Sequence, residues 1–165
     1  MPSTPTVTSD RVSEAVLEYP GALPTDQPGQ HPYLSLLGLR AFDTAALMKR
    51  LEEGLSYAAF DRLKRRLKVS SQELADVALI TQRTLARRKK AGRMQPAESD
   101  RLVRLARVFS GAIALFEGDA DGAQAWMMRP NRALGGPSPF EMAKTGVGAR
   151  EVENLIGRIQ HGVIS

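Results

Sequence analysis

Cysteine is absent from the 165 residues, and histidine occurs only twice, at His31 and His161. A thiolate metal site, a disulfide framework and a cysteine nucleophile are therefore excluded, and a zinc enzyme is all but excluded. Aromatic residues make up only 5% of the chain, which argues against a carbohydrate site or an aromatic-rich sheet. No segment approaches the roughly 18 to 20 consecutive apolar residues that span a bilayer, and the first residues lack the basic, apolar and small-residue regions of a secretory signal. The expectation is a soluble cytoplasmic protein with no membrane partner, no metal and no cofactor.

What is present is 42% hydrophobic and 25% charged, enough apolar material for a buried core in a chain of 18.0 kDa. The net charge of +5 is unevenly spread. Residues 1–61 hold 4 basic and 8 acidic side chains, residues 62–107 hold 14 and 4, and residues 108–165 hold 5 and 6, for balances of −4, +10 and −1. So basic a middle third suits a polyanion, because clustered Lys and Arg gain by releasing counterions from phosphates.

Proline and glycine divide the chain. Six prolines fall within residues 1–32, at Pro2, Pro5, Pro20, Pro24, Pro28 and Pro32, which reads as a disordered tail with at most a brief helix from Val12 to Leu17. From residue 33 to 115 proline recurs only at Pro96, and apolar residues take helical spacing. Helices are expected over Thr44–Glu53, closed by Gly54, and over Ser56–Leu67, with Phe60, Leu63 and Leu67 inward. The charges Arg62, Lys64, Arg65, Arg66 and Lys68 on the latter suit either a solvated face or phosphate contact.

Ser70 precedes Glu73 by three residues, the pattern in which each side chain satisfies an orphan N–H of the other. A helix from Ser71 to about Ala78 follows, and Thr81 caps another from Gln82 to Lys90, ended by Gly92. A long helix runs from Pro96 to about Leu115 and joins the two halves. Beyond Gly118 a short helix spans Gly122–Met128, and Pro130 to Pro139 form an irregular loop. Ser138-Pro139-Phe140-Glu141 restarts a helix expected to last until Gly146 breaks it, and a final helix from Ala149 to about Gln160 buries Val152, Leu155, Ile156 and Ile159. The fold class is all-α, in three parts: a tail over 1–32, a helix-turn-helix and dimerisation domain over 33–117, and a small helical C-terminal domain over 118–165.

Two short helices joined by a turn of about three residues form a helix-turn-helix candidate, whose second helix would enter the major groove. Thr81, Gln82, Arg83 and Thr84 suit base edges by type, and Arg87, Arg88, Lys89, Lys90 and Arg93 suit the phosphate backbone. Residues 81–93 contain six basic residues and no acid. Ala75 matches the small residue where such helices cross, and Leu85 matches the buried anchor. Leu79 stands where glycine commonly makes the turn, and Arg88 stands where an apolar residue is usual. A helical hairpin with a basic outer face is the alternative.

Nothing points to catalysis. His161, Glu151 and Glu153 share no obvious helix face, so His161 reads as a partner of the helix C-terminal dipole or a surface residue. Gly135-Gly136 lacks the lysine and serine spacing of a phosphate loop and reads as a turn.

The segments Ala133-Leu134-Gly135-Gly136, Ser138-Pro139-Phe140-Glu141-Met142-Ala143, Gly148 to Ile159 and His161-Gly162 together closely resemble the C-terminal domain of Xre-like antitoxins of the ParS and MbcA type, partners of RES-domain toxins. The resemblance extends over about residues 40–165, and Arg83-Thr84-Leu85-Ala86-Arg87-Arg88-Lys89 also looks like the family. It implies a non-enzymatic protein whose middle helices form a homodimer on operator DNA and repress the shared operon. It also implies that the C-terminal domain silences an NAD-consuming toxin. By the same resemblance, toxin contact is expected at Arg150, Glu151, Asn154, Arg158, His161, Gly162, Val163 and Ile164. A DNA-binding regulator with no toxin partner is the alternative function.

Overall fold

The structure is a computed structural model that describes residues 31–40 and 43–162. The expected tail up to residue 30, and the toxin-contact residues Val163 and Ile164, lie outside the described residues. Eight α-helices follow one another among the described residues: α1 (Thr44–Glu53), α2 (Tyr57–Leu67), α3 (Ser71–Val77), α4 (Gln82–Ala91), α5 (Pro96–Leu115), α6 (Ala120–Met128), α7 (Pro139–Met142) and α8 (Gly146–Gln160). Two 3-10 helices, Pro32–Leu37 and Arg132–Leu134, complete the described chain, which contains no strand beyond one isolated bridge between Ser56 and Arg93.

Side-chain caps set most of the helix starts. Asp43 accepts from the Ala46 N–H, Ser70 from Glu73, Thr81 from Thr84, Asp119 from Gly122, Ser138 from Glu141 and Thr145 from Gly148. Each satisfies one of the backbone donors that a helix leaves open in its first turn. At α5, with Pro96 in its first turn, the Glu98 carboxylate reaches back 2.8 Å to the Gln95 N–H.

The core is built along α5. Its buried Leu102, Leu105, Ala106, Val108, Phe109, Ala112 and Ile113 belong to one apolar cluster that also takes in Leu55, Phe60, Leu63 and Leu67 from the N-terminal side. Ala123, Met127, Phe140, Val152 and Ile156 join the same cluster from the C-terminal side. Around α5 pack the 3-10 helix Pro32–Leu37, α1, α2, α6 and α8.

In the placement of its helices the structure departs most clearly from the sequence expectations at three places. The 3-10 helix Pro32–Leu37 is an element that helical periodicity misses, because Leu34, Leu36 and Leu37 are all buried within one short, tightly wound stretch. It ends at Gly38, whose φ of 71° suits a residue without a Cβ. Gly146 opens α8 where a break was expected. Thr145 caps that turn, and a Cβ at Gly148 would stand 2.0 Å from the Met142 carbonyl oxygen. Gly148 therefore admits the end of α7 against the start of α8. Finally, α6 begins at Ala120 instead of Gly122, because Asp119 supplies the cap.

Candidate nucleic-acid and partner interfaces

In α3 and α4 the inward residues are few. Leu74, Ala75 and Val77 are buried on α3, and Leu85 alone is buried on α4. Leu79 makes the turn between them with φ of 56°, the left-handed conformation that glycine usually supplies there, and its side chain is 49% exposed. The outer face of α4 presents Gln82, Arg83, Arg87, Lys89 and Lys90, all exposed. Among the described residues none of these five is engaged in a side-chain hydrogen bond or an ion pair, so the charge of this face meets only solvent.

Four residues expected on DNA have work inside the fold. Thr81 and Thr84, expected at base edges, form the cap: the Thr84 N–H donates to Thr81 Oγ1 at 3.2 Å, and the Thr81 hydroxyl donates to Thr84 Oγ1 at 3.0 Å. Arg88, expected on phosphate, points inward. Its Nε–H donates to both carboxylate oxygens of Glu98, at 3.0 and 2.8 Å, with the two side chains only 14% and 10% exposed. An ion pair thus fills the position where an apolar residue is usual. Arg93 donates to the Glu53 and Gly54 carbonyls at 3.0 and 2.9 Å and closes the C-terminus of α1.

Glu98 was not anticipated as a site residue. Burial pushes its carboxyl up, but the Arg88 hydrogen bonds, the Gln95 N–H and the charges of Arg88 and Arg101 together outweigh burial and hold it below the usual carboxylate range. Arg101, one turn on, donates to the Ala78 carbonyl at 3.3 Å, just before the Leu79 turn. The basic face of α2 is different in kind. Lys64 bonds Ser71 and pairs with Asp61, and Lys68 pairs with Asp121 of α6 at 2.7 Å, leaving Arg62, Arg65 and Arg66 exposed.

At the other end, α8 lays Ala149, Val152, Leu155 and Ile156 inward, and its Glu153 pairs with Arg107 of α5. Ile159, expected in the core, is half-buried because it falls at the last turn of the helix. Arg150, Glu151, Asn154, Arg158, His161 and Gly162 are all exposed, and among the described residues none of their side chains has an intrachain hydrogen bond or ion pair. The loop before α7 is a turn with no cradle for phosphate: the Gly136 N–H donates to the Asn131 carbonyl at 3.0 Å, and Gly135 and Gly136 take φ of 84° and 119°.

Beside the N-terminal 3-10 helix, the Tyr33 hydroxyl lies 2.9 Å from His31 Nδ1. Burial raises the Tyr33 phenol above its ordinary value against the lowering effect of Arg107, with Glu153 adding to the rise. Among the described residues no three or more His, Asp or Glu side chains group as metal ligands would, and no helix is long and apolar enough to cross a membrane.

Comparison with known proteins follows the same division. Residues 46–107 match the antitoxin Xre-like helix-turn-helix domain, and residues 111–162 match the antitoxin Xre/MbcA/ParS C-terminal toxin-binding domain. The chain is 35% identical over 143 residues to an antitoxin Xre of Photorhabdus laumondii, covering 86% of this chain and 97% of that protein. It is 37% identical over 130 residues to an antitoxin Xre of Yersinia enterocolitica, covering 78% and 88%. With both domain matches in order and relatives aligned over nearly their whole length, the chain belongs to the Xre antitoxin family.

Proposed function

We propose that this chain is the cytoplasmic antitoxin of a toxin–antitoxin pair, that it binds and silences a RES-domain toxin that consumes NAD, and that as a homodimer it represses its own operon. The observation that carries this reading is the pair of exposed polar faces, one on each half of the chain, that satisfy no group within the fold. On α4 the face is Gln82, Arg83, Arg87, Lys89 and Lys90, cationic and suited to base edges and phosphates. On α8 it is Arg150, Glu151, Asn154 and Arg158, of mixed charge and suited to a protein surface. The adjoining His161, Gly162, Val163 and Ile164 extend the second face by sequence.

Co-expression with the RES-domain reading frame adjacent to the gene tests the toxin arm. Arg158→Ala, or removal of residues 161–165, is expected to restore growth inhibition while the variant stays folded and still binds DNA. Truncating one side of a buried interfacial charge pair typically costs about 2 to 5 kcal/mol. A folded variant that protects cells as well as the full chain would move the toxin interface away from α8, and the absence of any adjacent toxin frame would favour a regulator without a toxin partner.

A further inference from the structure

The recognition helix α4 is attached to the body of the protein in an unusual way, with a single buried apolar side chain, Leu85. The segment just past its C-terminus is tied by backbone bonds, with the Gly92 carbonyl accepting the Tyr57 N–H at 2.9 Å and Arg93 bridging Ser56, so one apolar anchor leaves the exposed N-terminal turns of the helix free to rock about that end. The second point of attachment is polar. Arg88 lies three residues, about one helical turn, beyond Leu85 on the same face, and its guanidinium is held by Glu98 with both side chains largely out of water. The same carboxylate also accepts the Gln95 N–H, so it is fixed to the start of α5 and cannot follow α4 if α4 moves. One turn further along α5, Arg101 binds the carbonyl of Ala78 at the end of α3. Ser99, between them, accepts the Leu55 N–H at 2.9 Å and donates to the Gln95 carbonyl at 2.8 Å, which ties this turn of α5 to the body of the fold.

Ion pairs removed from water return little net stability for the desolvation they require, but they are demanding in geometry. We propose, resting on the reading that α4 binds DNA, that Arg88, Glu98 and Arg101 are positioning residues: a polar lock through which the first turns of α5 set the angle of α4 to the duplex, with Arg88 making no phosphate contact of its own. The departure of Arg88 from the usual apolar residue is then the device by which this chain aims its basic face. Arg87, one position earlier and exposed, is a phosphate contact, and the two neighbouring arginines have separate roles.

The test compares Arg88→Ala, Arg88→Lys, Glu98→Gln and Arg87→Ala in the full chain by two readouts. One is amide hydrogen exchange across residues 82–91 relative to α8. The other is the affinity and salt dependence of binding to the duplex immediately upstream of the chain's own coding sequence. In Arg88→Ala the exchange of α4 is expected to speed up while α8 is unchanged. If α4 is then docked for only about a tenth of the time, affinity falls about tenfold with no change in the slope of log K against log salt. Glu98→Gln, which keeps an acceptor for the α5 cap, should reproduce this pattern should Arg88→Ala fail to fold, and Arg88→Lys should recover part of the loss. Arg87→Ala should do the reverse, lowering the slope by roughly 0.9 with α4 exchange unaltered. Unchanged α4 exchange in Arg88→Ala, or a slope reduced as in Arg87→Ala, would overturn the proposal. If the unaltered chain binds no duplex, the DNA arm of the proposed function fails, and the exchange data alone decide whether the lock holds α4.

Discussion

The second helix of the helix-turn-helix, α4, and the C-terminal helix α8 both turn a polar face to solvent, yet they are held to α5 by opposite means. α8 has an apolar seam of Ala149, Val152, Leu155 and Ile156, close enough to α5 that a Cβ at Gly111 would stand 3.4 Å from Ile156 Cδ1. α4 has Leu85, the Arg88–Glu98 pair and, just past its last turn, the backbone bond from the Tyr57 N–H to the Gly92 carbonyl. An apolar seam gains stability in proportion to the area it removes from water, whereas an ion pair fixes direction and returns little stability. α8 should therefore share in the global unfolding of the core, while α4 should open on its own.

Truncation in the two seams exposes that difference most strongly. Ile156→Ala is expected to cost about 2 to 4 kcal/mol of global stability, the usual range for a buried aliphatic truncated beside a rigid neighbour, read as a lower urea midpoint. Leu85→Ala removes a side chain of similar size but should lower the midpoint less, because α4 can detach without opening the cluster along α5. Equal losses at the two positions would show that α4 is as deeply part of the cooperative core as α8.

The next effect in size belongs to the lock itself. Glu98→Ala removes the α5 cap and strands the Arg88 guanidinium, and a fall in Tm of roughly 5 to 10 °C is expected. Glu73→Ala, which removes only an exposed cap contact at α3, should give a clearly smaller shift. Thermal melts followed by circular dichroism decide between them, and equal shifts would mean that the Arg88 pair adds nothing beyond the cap.

Acid provides a third comparison, between exposed caps and the buried pair. Glu73 and Glu141 are held below their ordinary value of 4.5 chiefly by the backbone N–H groups of Ser70 and Ser138, and Glu98 is held there by Arg88 and Gln95 against the cost of burial. A carboxyl whose value is lowered by folding stabilises the fold fully above the unfolded value and loses that contribution as pH falls through the folded one. The urea midpoint is therefore expected to be level with respect to these three groups above about pH 5.5 and to decline below about pH 4.5. Glu98→Gln and Glu73→Gln should each remove part of that acid limb, and if both variants keep the full decline, other carboxylates carry it.

Much of this architecture can be read from residue order, because α1, α3, α4, α5 and α7 begin at caps whose donors and acceptors lie three residues apart. Local chemistry of that kind leaves a local trace. The 3-10 helix Pro32–Leu37 leaves none, since three leucines within four residues fit no long helical period and become core only when α5 and α2 are there to cover them. The roles of Arg88 and Arg93 are hidden for the same reason. By type and spacing both resemble Arg87, and only the approach of Glu98, 10 residues away, draws Arg88 inward, while the Glu53 and Gly54 carbonyls, 40 and 39 residues away, engage the exposed Arg93. The exposed face of α8 could be named from family resemblance, but its separation from the apolar seam rests on the packing of Val152 and Ile156 against α5.

The smallest expected effect lies at the hinge of the helix-turn-helix, and it sharpens the account of how α4 is set. Leu79 holds a left-handed backbone, a conformation that costs an L-residue roughly 1 to 2 kcal/mol because its Cβ crowds the following carbonyl. Its side chain is half exposed and recovers little of that by burial. The turn itself is held by backbone bonds, Leu79 N–H to the Asp76 carbonyl at 3.2 Å and Ile80 N–H to the Ala75 carbonyl at 2.8 Å, which glycine would keep. Glycine also gives the unfolded chain more freedom, offsetting about 0.4 to 1 kcal/mol of the relief. Leu79→Gly is thus expected to raise stability by roughly 0.5 kcal/mol, seen as a small upward shift of the urea midpoint at constant slope. A lower midpoint would show that the leucine side chain makes a stabilising contact that outweighs its strain, and the turn would then have to be counted with Leu85 as an apolar anchor of α4.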